Sequence, residues 1–599
     1  MYRIAFLLLG AALTGASLLS GADEDGAALF QTHCAVCHKA PPVNRAPLPD
    51  ALKKLSRDAV LASMESGSMK EQSRALTAAQ RQAIAAFLTR GSTAQTETPT
   101  GMCGAGYESR TDSTYWNGWG VDATNSNFQS AKMAGFRADQ IPKLRLKWAF
   151  GFPGAAAAMG QPVMVGGRLY FGSQDGTVFA TDAKTGCIYW TFKAPATVRT
   201  AVTIGTVGHA RHAAMFGDAQ ANVYAVNTKD GSLIWKVKLD DHPVARITGA
   251  PKMHGSRLYV PVSSIEEVNG GGPKYECCKF RGSVAAIDIE SGKLVWKTYA
   301  IPDAPVPTKK NSAGVQLHGP SGAAVWLSPT LDLKKRLVYA GTGNAYSDPP
   351  TKFTDAILAL DMDTGKLVWS KQLTEKDGWN FACVNSNKAN CPENAGPDVD
   401  IGASPILRDL PGGKRVLVVG QKSGMVHGLD PDAQGAILWQ TKIGEGGALG
   451  GVQWGMAADG NNAYVALSDV HKRMEAGGLF ALSLAKGEKV WYSPPVKPAC
   501  AGKFGCSPAL MAPVAVMEGV VFSGAMDGVL RAHDAKTGKV IWEYNTLQSY
   551  QTVNGVKGQG GSLSATGPVF AGGMMFLNSG YGVLGGMTGN VLLAFEPAP

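Results

Sequence analysis

No extended run of lysine or arginine stands anywhere in the 599 residues, and charged residues make up only 17% of them. That absence excludes the electrostatic footprint of a nucleic-acid binder. A net charge of +10 over this length is mild and suits an acidic partner such as another redox protein. Long apolar runs are equally scarce: beyond the first 22 residues no segment could span a bilayer. Residues 1–22 themselves read as a signal peptide. Arg3 gives the positive start, Ile4 to Leu19 is apolar or small, and Ser20-Gly21-Ala22 offers a cleavage site before Asp23. The expectation is export to the periplasm with no permanent membrane span. Cysteine is sparse but even in number, at ten. In an oxidising compartment such a set is expected to be paired, apart from any cysteines claimed by a cofactor.

What the chain has in quantity is glycine, 74 residues, together with a repeating tryptophan. The stretch Leu358-Ala359-Leu360-Asp361-Met362-Asp363-Thr364-Gly365-Lys366-Leu367-Val368-Trp369 reads as a strand, a tight turn and a second strand ending in Trp. The eight-residue gap of Asp361…Trp369 recurs at Asp182…Trp190, Asn227…Trp235, Asp288…Trp296, Ser483…Trp491 and Asp534…Trp542, and Asp430…Trp439 stretches it by one. Trp148 stands alone with no turn before it. Successive tryptophans are separated by 42 residues (Trp148 to Trp190) up to 73 (Trp296 to Trp369). Self-similarity of this kind predicts an all-β eight-bladed β-propeller, with the surplus residues in loops. The surplus falls between Trp235 and Trp439, where the site is therefore expected. Val591-Leu592-Leu593-Ala594-Phe595 lacks a following Trp strand, so it is expected to pair with the Trp148 strand and close the ring.

Residues 23–90 form a separate small all-α unit around Cys34-Ala35-Val36-Cys37-His38. Two cysteines and a histidine at this spacing can hold a haem covalently while His38 ligates iron, so the unit reads as a cytochrome c domain. Met69, just before an amphipathic stretch at 77–88, is the first choice for the sixth ligand, and Met64 the second. Residues 91–106 read as a linker, and 107–599 as the propeller. With Cys34 and Cys37 assigned to haem, Cys383/Cys391 and Cys500/Cys506 can each close a short loop. Cys277 and Cys278 are adjacent, and Cys103 and Cys187 remain.

Repeats of the form A-x-D-x-x-T-G-x-x-x-W, eight around a ring, resemble the quinoprotein alcohol dehydrogenases, which carry pyrroloquinoline quinone (PQQ). The resemblance covers about residues 107–599. A cytochrome placed ahead of the propeller resembles the polyvinyl-alcohol dehydrogenase branch. It implies a PQQ- and Ca2+-dependent oxidation of alcohols, with haem c receiving the electrons and a periplasmic acceptor, such as a soluble cytochrome c, taking them on. Residue by residue it implies the following. Thr248 and Ser263 contact the cofactor, with Arg199, Gln453 and Trp454. Glu266 binds calcium, with Glu267 in reserve, as does the amide of Asn344. A ring formed by Cys277 and Cys278 lies against one quinone face. Trp326, eighteen residues before Asn344, stacks under the other. Lys422 stands beside the quinone oxygens.

The sequence departs from the pattern at two places. Trp379-Asn380 stands where the family has Trp-Asp. No acidic residue lies near Gln161, where a first-blade glutamate is common. The catalytic base, and with it a further calcium ligand, is assigned to Asp398 in the run Asp398-Val399-Asp400, with Asp400 as second choice. The substrate implied is a secondary alcohol, polymeric or small. A non-catalytic propeller scaffold joined to an electron-carrier cytochrome is the reading from a different class, and it predicts no PQQ uptake.

Overall fold

The computed structural model describes residues 25–39, 46–53, 55–65, 69–70, 72–90, 100–106, 113–208, 211–498, 500 and 502–598. The expected signal peptide and residues 91–99 of the expected linker lie outside the described residues.

Asp361 shows how one repeat is made. Its Oδ1 accepts from the N–H groups of Asp363 and Thr364 and from the Thr364 hydroxyl at 3.1, 2.8 and 2.7 Å. Gly365 then takes φ +72°, and Ala356–Asp361 returns as Leu367–Gln372 with Ala359 opposite Trp369. The glycine answers a second demand. A Cβ there would stand 2.5 Å from the indole of Trp296, which reaches across from the preceding blade and donates to the Met362 carbonyl at 3.1 Å. The same contact joins Trp148 to Gly186, Trp190 to Gly231, Trp235 to Gly292, Trp369 to Gly435, Trp439 to Gly487 and Trp491 to Gly538. Each of these seven tryptophans thus fastens its blade to the next, and only a residue without a side chain fits the turn. Gly365→Val is expected to destabilise the propeller by roughly 2–5 kcal/mol, through left-handed strain plus overpacking. A lowered urea midpoint would register it.

Eight sheets of this kind stand around the axis. Seven are built from strands taken in chain order within 163–193, 203–238, 252–299, 330–372, 406–442, 457–493 and 515–545. The eighth joins the strands of 569–597 to Leu144–Gly151, which pairs antiparallel with Val591–Pro597 and sets Trp148 opposite Ala594. The ends close the ring as the sequence predicts. The core is spread through the seams between blades; one cluster packs Val223 and Ala225 of blade two against Val260 and Ile287 of blade three.

The segment from Tyr115 to Gln129 crosses one end of the axis and meets every blade. Tyr115 and Trp116 pair with Val165 and Met164 of blade one. Asn117 exchanges two hydrogen bonds with Ile204 of blade two, and the Trp119 and Asp122 carbonyls accept from Lys252 of blade three. Backbone bonds follow from Leu331 to Ala123, Leu407 to Thr124, Ala458 to Ser126 and Val516 to Asn127, in blades four to seven. Finally Gln129 donates to the Phe570 carbonyl of blade eight at 3.1 Å. Lys252, Thr330 and Ala458, which lie beside this segment, each come four residues after Thr248, Trp326 and Trp454, which line the central cavity. The inner strands therefore run from an open end to this closed one.

In the haem-type domain, helix Gly26–His33 crosses helix Ala78–Leu88 at Gly26, where a Cβ would lie 2.1 Å from the Ala83 carbonyl oxygen. Thr77 and Gln80 form a reciprocal capping box at the second helix. The expected linker ends earlier than 106: the Cys103 N–H donates to Ile188 at 2.9 Å, and Cys103 is bonded to Cys187 of blade one. All four disulfides form on the expected pairs, and Cys34 and Cys37 take part in none of them. Among the described residues no helix is long and apolar enough to cross a membrane.

Candidate active site

A cavity of about 1320 Å3 opens at the unplugged end of the ring and continues into the crevice of the helical domain. Its helical part is lined by Cys34, Cys37, His38, Met64 and Met69. His38 Nδ1 donates to the Pro47 carbonyl at 2.7 Å, which leaves Nε2 free, and burial pulls its pKa below the ordinary value so that the imidazole is neutral. Two thiols outside any disulfide and a neutral, oriented imidazole fit a covalent haem. Both methionine candidates face the same crevice.

The propeller part is lined by Arg199, Thr248, Ser263, Trp326, Asn344, Lys422, Gln453 and Trp454, eight of the residues expected there. Blade three (Thr248 on a loop, Ser263 at a strand end), loops of blade four (Trp326, Asn344) and of blade five (Lys422) bring them together, with Arg199 from blade two and Trp454 from blade six. Trp326 and Trp454 meet edge to face, ring centroids 5.5 Å apart, and the Arg199 guanidinium lies 4.8 Å from the Trp454 ring. Gln453 is fixed by a bond to the Gly450 carbonyl at 2.8 Å.

The centre of charge is Lys422, 2% exposed, whose Nζ lies 3.0 Å from Asp398 Oδ1 and 2.8 Å from Asp400 Oδ2. The two aspartates differ in what they face. Asp400 lines the cavity, and it also accepts from Trp326 Nε1 at 3.1 Å and from the Asn344 N–H at 2.8 Å. Asp398 is fully enclosed behind the lysine and does not reach the cavity. Asn344 spends both Nδ2 hydrogens on the Ala345 and Trp379 carbonyls, at 2.9 and 2.7 Å, and its buried Oδ1 has no partner. An amide oxygen pinned in this way is suited to a hard cation.

Two expected contacts take other roles. Glu266 has no exposed surface and accepts from the N–H groups of Lys279 (2.9 Å) and Phe280 (2.7 Å) and from the Tyr275 hydroxyl (3.1 Å). It braces its own loop, and its neighbour Glu267 lines the cavity instead. Cys277 and Cys278 do form the adjacent ring, but it packs among Phe280, Leu317 and Tyr346 and lies outside the cavity lining. Asn380 is also remote: its Nδ2 donates to the Tyr346 and Asn390 carbonyls at 2.9 and 2.7 Å, a task an aspartate could not perform.

Four further residues carry chemistry that the sequence reading missed. Arg246 lines the cavity directly opposite Ser263 in register, with a buried Nε that has no partner. Burial, reinforced by the charge of Arg199, pulls its pKa down to about 10. Its place two residues before Thr248 on an extended segment was the signal available. Tyr346 also lines the cavity; burial and then the charges of Glu267 and Asp400 hold its hydroxyl protonated. Asp355 is fully buried with neither carboxylate oxygen partnered; burial, then Asp377 and Asp400, push it well above the usual carboxylate range. Burial raises Asp377 as well, whose oxygens accept the N–H groups of Asp398 (3.0 Å) and Val399 (2.6 Å).

Comparison with known proteins agrees with this arrangement. Residues 116–386 match the family model described as glucose/ethanol/alcohol dehydrogenase, β-propeller domain, and 21–88 match the cytochrome C oxidase, cbb3-type, subunit III model. Residues 422–556 and 475–597 match the model for outer membrane protein assembly factor BamB. A quinohaemoprotein alcohol dehydrogenase of Comamonas testosteroni shares the fold at TM-score 0.58 and 18% identity, covering 82% of each chain. Ring, cavity and haem-type crevice together define a PQQ-dependent alcohol dehydrogenase with a cytochrome c domain on the same chain. Within that class, polyvinylalcohol dehydrogenases of a Pseudomonas species and of Sphingopyxis sp. (strain 113P3) are 39% and 36% identical to it, each over 96% of this chain and 93% of the relative. The chain belongs to the polyvinylalcohol dehydrogenase family.

Proposed function

We propose that the protein works in the periplasm, oxidises secondary hydroxyl groups of polyvinyl alcohol or a similar polymer to ketones, and sends the electrons through its own haem to a soluble acceptor such as a cytochrome c. The observation that carries this is the single cavity shared by the propeller site and the haem-type crevice. The names of the two relatives matched over nearly their whole length support the polymer.

In this reading Asn344 Oδ1, Asp400 and Glu267 hold Ca2+, and Trp326 offers a flat apolar face to the quinone ring. Arg199 and Arg246 answer its carboxylates, beside Thr248 and Ser263. When bound, the quinone supplies the two-electron acceptor and the cation a Lewis acid. Asp400 takes the proton of the substrate hydroxyl. Lys422 holds that carboxylate in place and adds positive charge to the wall on which negative charge develops. Burial of Lys422 and Asp398 keeps water from competing for the ion pair. Met69, on the loop after helix Arg57–Glu65, is the sixth haem ligand, while Met64 serves as a core side chain of that helix.

The test is turnover by holoprotein reconstituted with PQQ and Ca2+, on polyvinyl alcohol and on 2-alkanols of comparable hydroxyl concentration. Higher kcat/KM per hydroxyl on the polymer is the expected result. Preference for the 2-alkanol would make it a small-alcohol enzyme, and no oxidation of either would leave only the scaffold reading.

A further inference from the structure

Among the described residues, contacts of the helical domain with the propeller lie on two flanks of the shared cavity. On one flank Ala156, in the loop between blades eight and one, is 6% exposed and packs into the helical domain's own core beside Leu55 and Val60. Next to it Gly154 faces Ser56, whose Oγ would lie 3.0 Å from an added Cβ. On the other flank Gln72 Nε2 donates to Asn269 Oδ1 at 2.6 Å.

Both partners of that bond occupy telling positions. Gln72 lies in a short braced turn: the Ser73 N–H donates to the Met69 carbonyl at 2.9 Å, and the Ser73 hydroxyl to the Met64 carbonyl at 2.6 Å. This turn therefore carries or anchors both methionines that face the haem crevice. Asn269 ends the helix Glu266–Asn269, which carries Glu267 into the quinone cavity. One side-chain hydrogen bond thus ties the methionine turn to the helix bearing a site carboxylate.

We infer that Gln72 and Asn269 form a docking latch: the apolar Ala156 contact seats one edge of the haem domain, and the latch holds its methionine turn down on blade three, so that electron passage from quinone to haem depends on the latch being closed. The inference rests on the reading of the haem as the quinone's electron acceptor. Alcohol oxidation leaves two electrons and delivers protons to the site. Each electron reduces one ferric haem to ferrous, and the soluble acceptor, itself reduced, restores the ferric form before the second passes.

The experiment mixes holoprotein with alcohol under stopped flow and follows the reduced-haem band. In parallel an artificial dye that accepts electrons directly from the quinone site is reduced under the same conditions. Gln72→Met keeps the side chain's size and removes the donor; loss of one such bond shifts the docked-to-undocked ratio by roughly five-fold. Haem reduction in Gln72→Met is expected to slow by up to that factor, with dye reduction unchanged. Ala156→Glu, which sets a charge into the apolar seat, is expected to slow it further. Asn269→Asp keeps the acceptor oxygen and is expected to retain the wild-type haem rate. Wild-type haem reduction in both Gln72→Met and Ala156→Glu would overturn the latch, as would a parallel fall in dye reduction. If haem in the unaltered protein stays oxidised while the dye is reduced, the acceptor reading fails, and the latch with it.

Discussion

Asp400→Asn is expected to lower kcat for alcohol oxidation by about 10²–10⁴-fold, the usual contribution of a positioned general base, while the protein still takes up PQQ and haem. The amide keeps the size of the side chain and the oxygen that meets Trp326 Nε1 or the Asn344 N–H, and measuring bound Ca2+ and PQQ in the variant separates loss of the base from loss of a ligand. Asp398→Asn is the matched control. Its carboxylate lies on the far side of Lys422 from the cavity, and the substitution is expected to cost less than about tenfold, through a less well held lysine. Single-turnover reduction of bound PQQ is the measurement. If Asp398→Asn is inactive and Asp400→Asn retains turnover, the two assignments exchange places.

Lys422→Met is expected to destabilise the apoprotein by about 3–5 kcal/mol, the usual cost of removing one partner from a buried ion pair. The lysine is the cation shared by Asp398 and Asp400, and Asp355 and Asp377 lie close enough to feel both. The pH dependence gives the loss a signature. Without the lysine, Asp355 loses the positive charge that partly offsets its burial, and its folded-state affinity for protons rises further above that of the unfolded chain. The native state then binds more protons than the unfolded one, so stability is kept below the unfolded carboxylate pKa and lost as pH rises. Asp355 already contributes that sign in the unaltered protein. The variant is therefore expected to show a steeper fall in urea midpoint between about pH 5 and pH 8 than wild type, by up to roughly 1.4 kcal/mol per unit for each added proton. Equal midpoints at both pH values would show that the lysine does not neutralise the cluster.

The propeller was legible because its signals are local. The Asp361 turn, the φ of Gly365 and the contact of Trp296 are set within one hairpin and one neighbouring seam, and they recur. Closure by Val591–Pro597 followed from the same pattern with one strand missing at each end. The site was legible where it continues an inner strand, as at Thr248, Trp326 and Asn344. It failed where adjacent residues diverge. Glu266 and Glu267 share one turn of helix, and which of them faces the cavity is decided by the amides of Lys279 and Phe280, returning from thirteen residues away. Asp398 and Asp400 straddle Lys422, a side-chain relation that spacing does not encode. The ring of Cys277 and Cys278 formed as expected, yet its loop turned it toward Tyr346 and away from the axis. Asp355 and Asp377 belong to no motif, and only burial makes them notable.

The crossing segment from Tyr115 to Gln129 has a consequence for how this ring is able to vary. Because it offers successive partners to blades one through eight in order, it acts as a tally of them. A rotor that lost or duplicated one hairpin set would leave a rung of this strip unmatched, or a blade without its rung. Insertions are therefore confined to the loops at the opposite end, where the chain has lengthened between Trp235 and Trp439, and the number eight is written into fifteen residues before the first full blade begins.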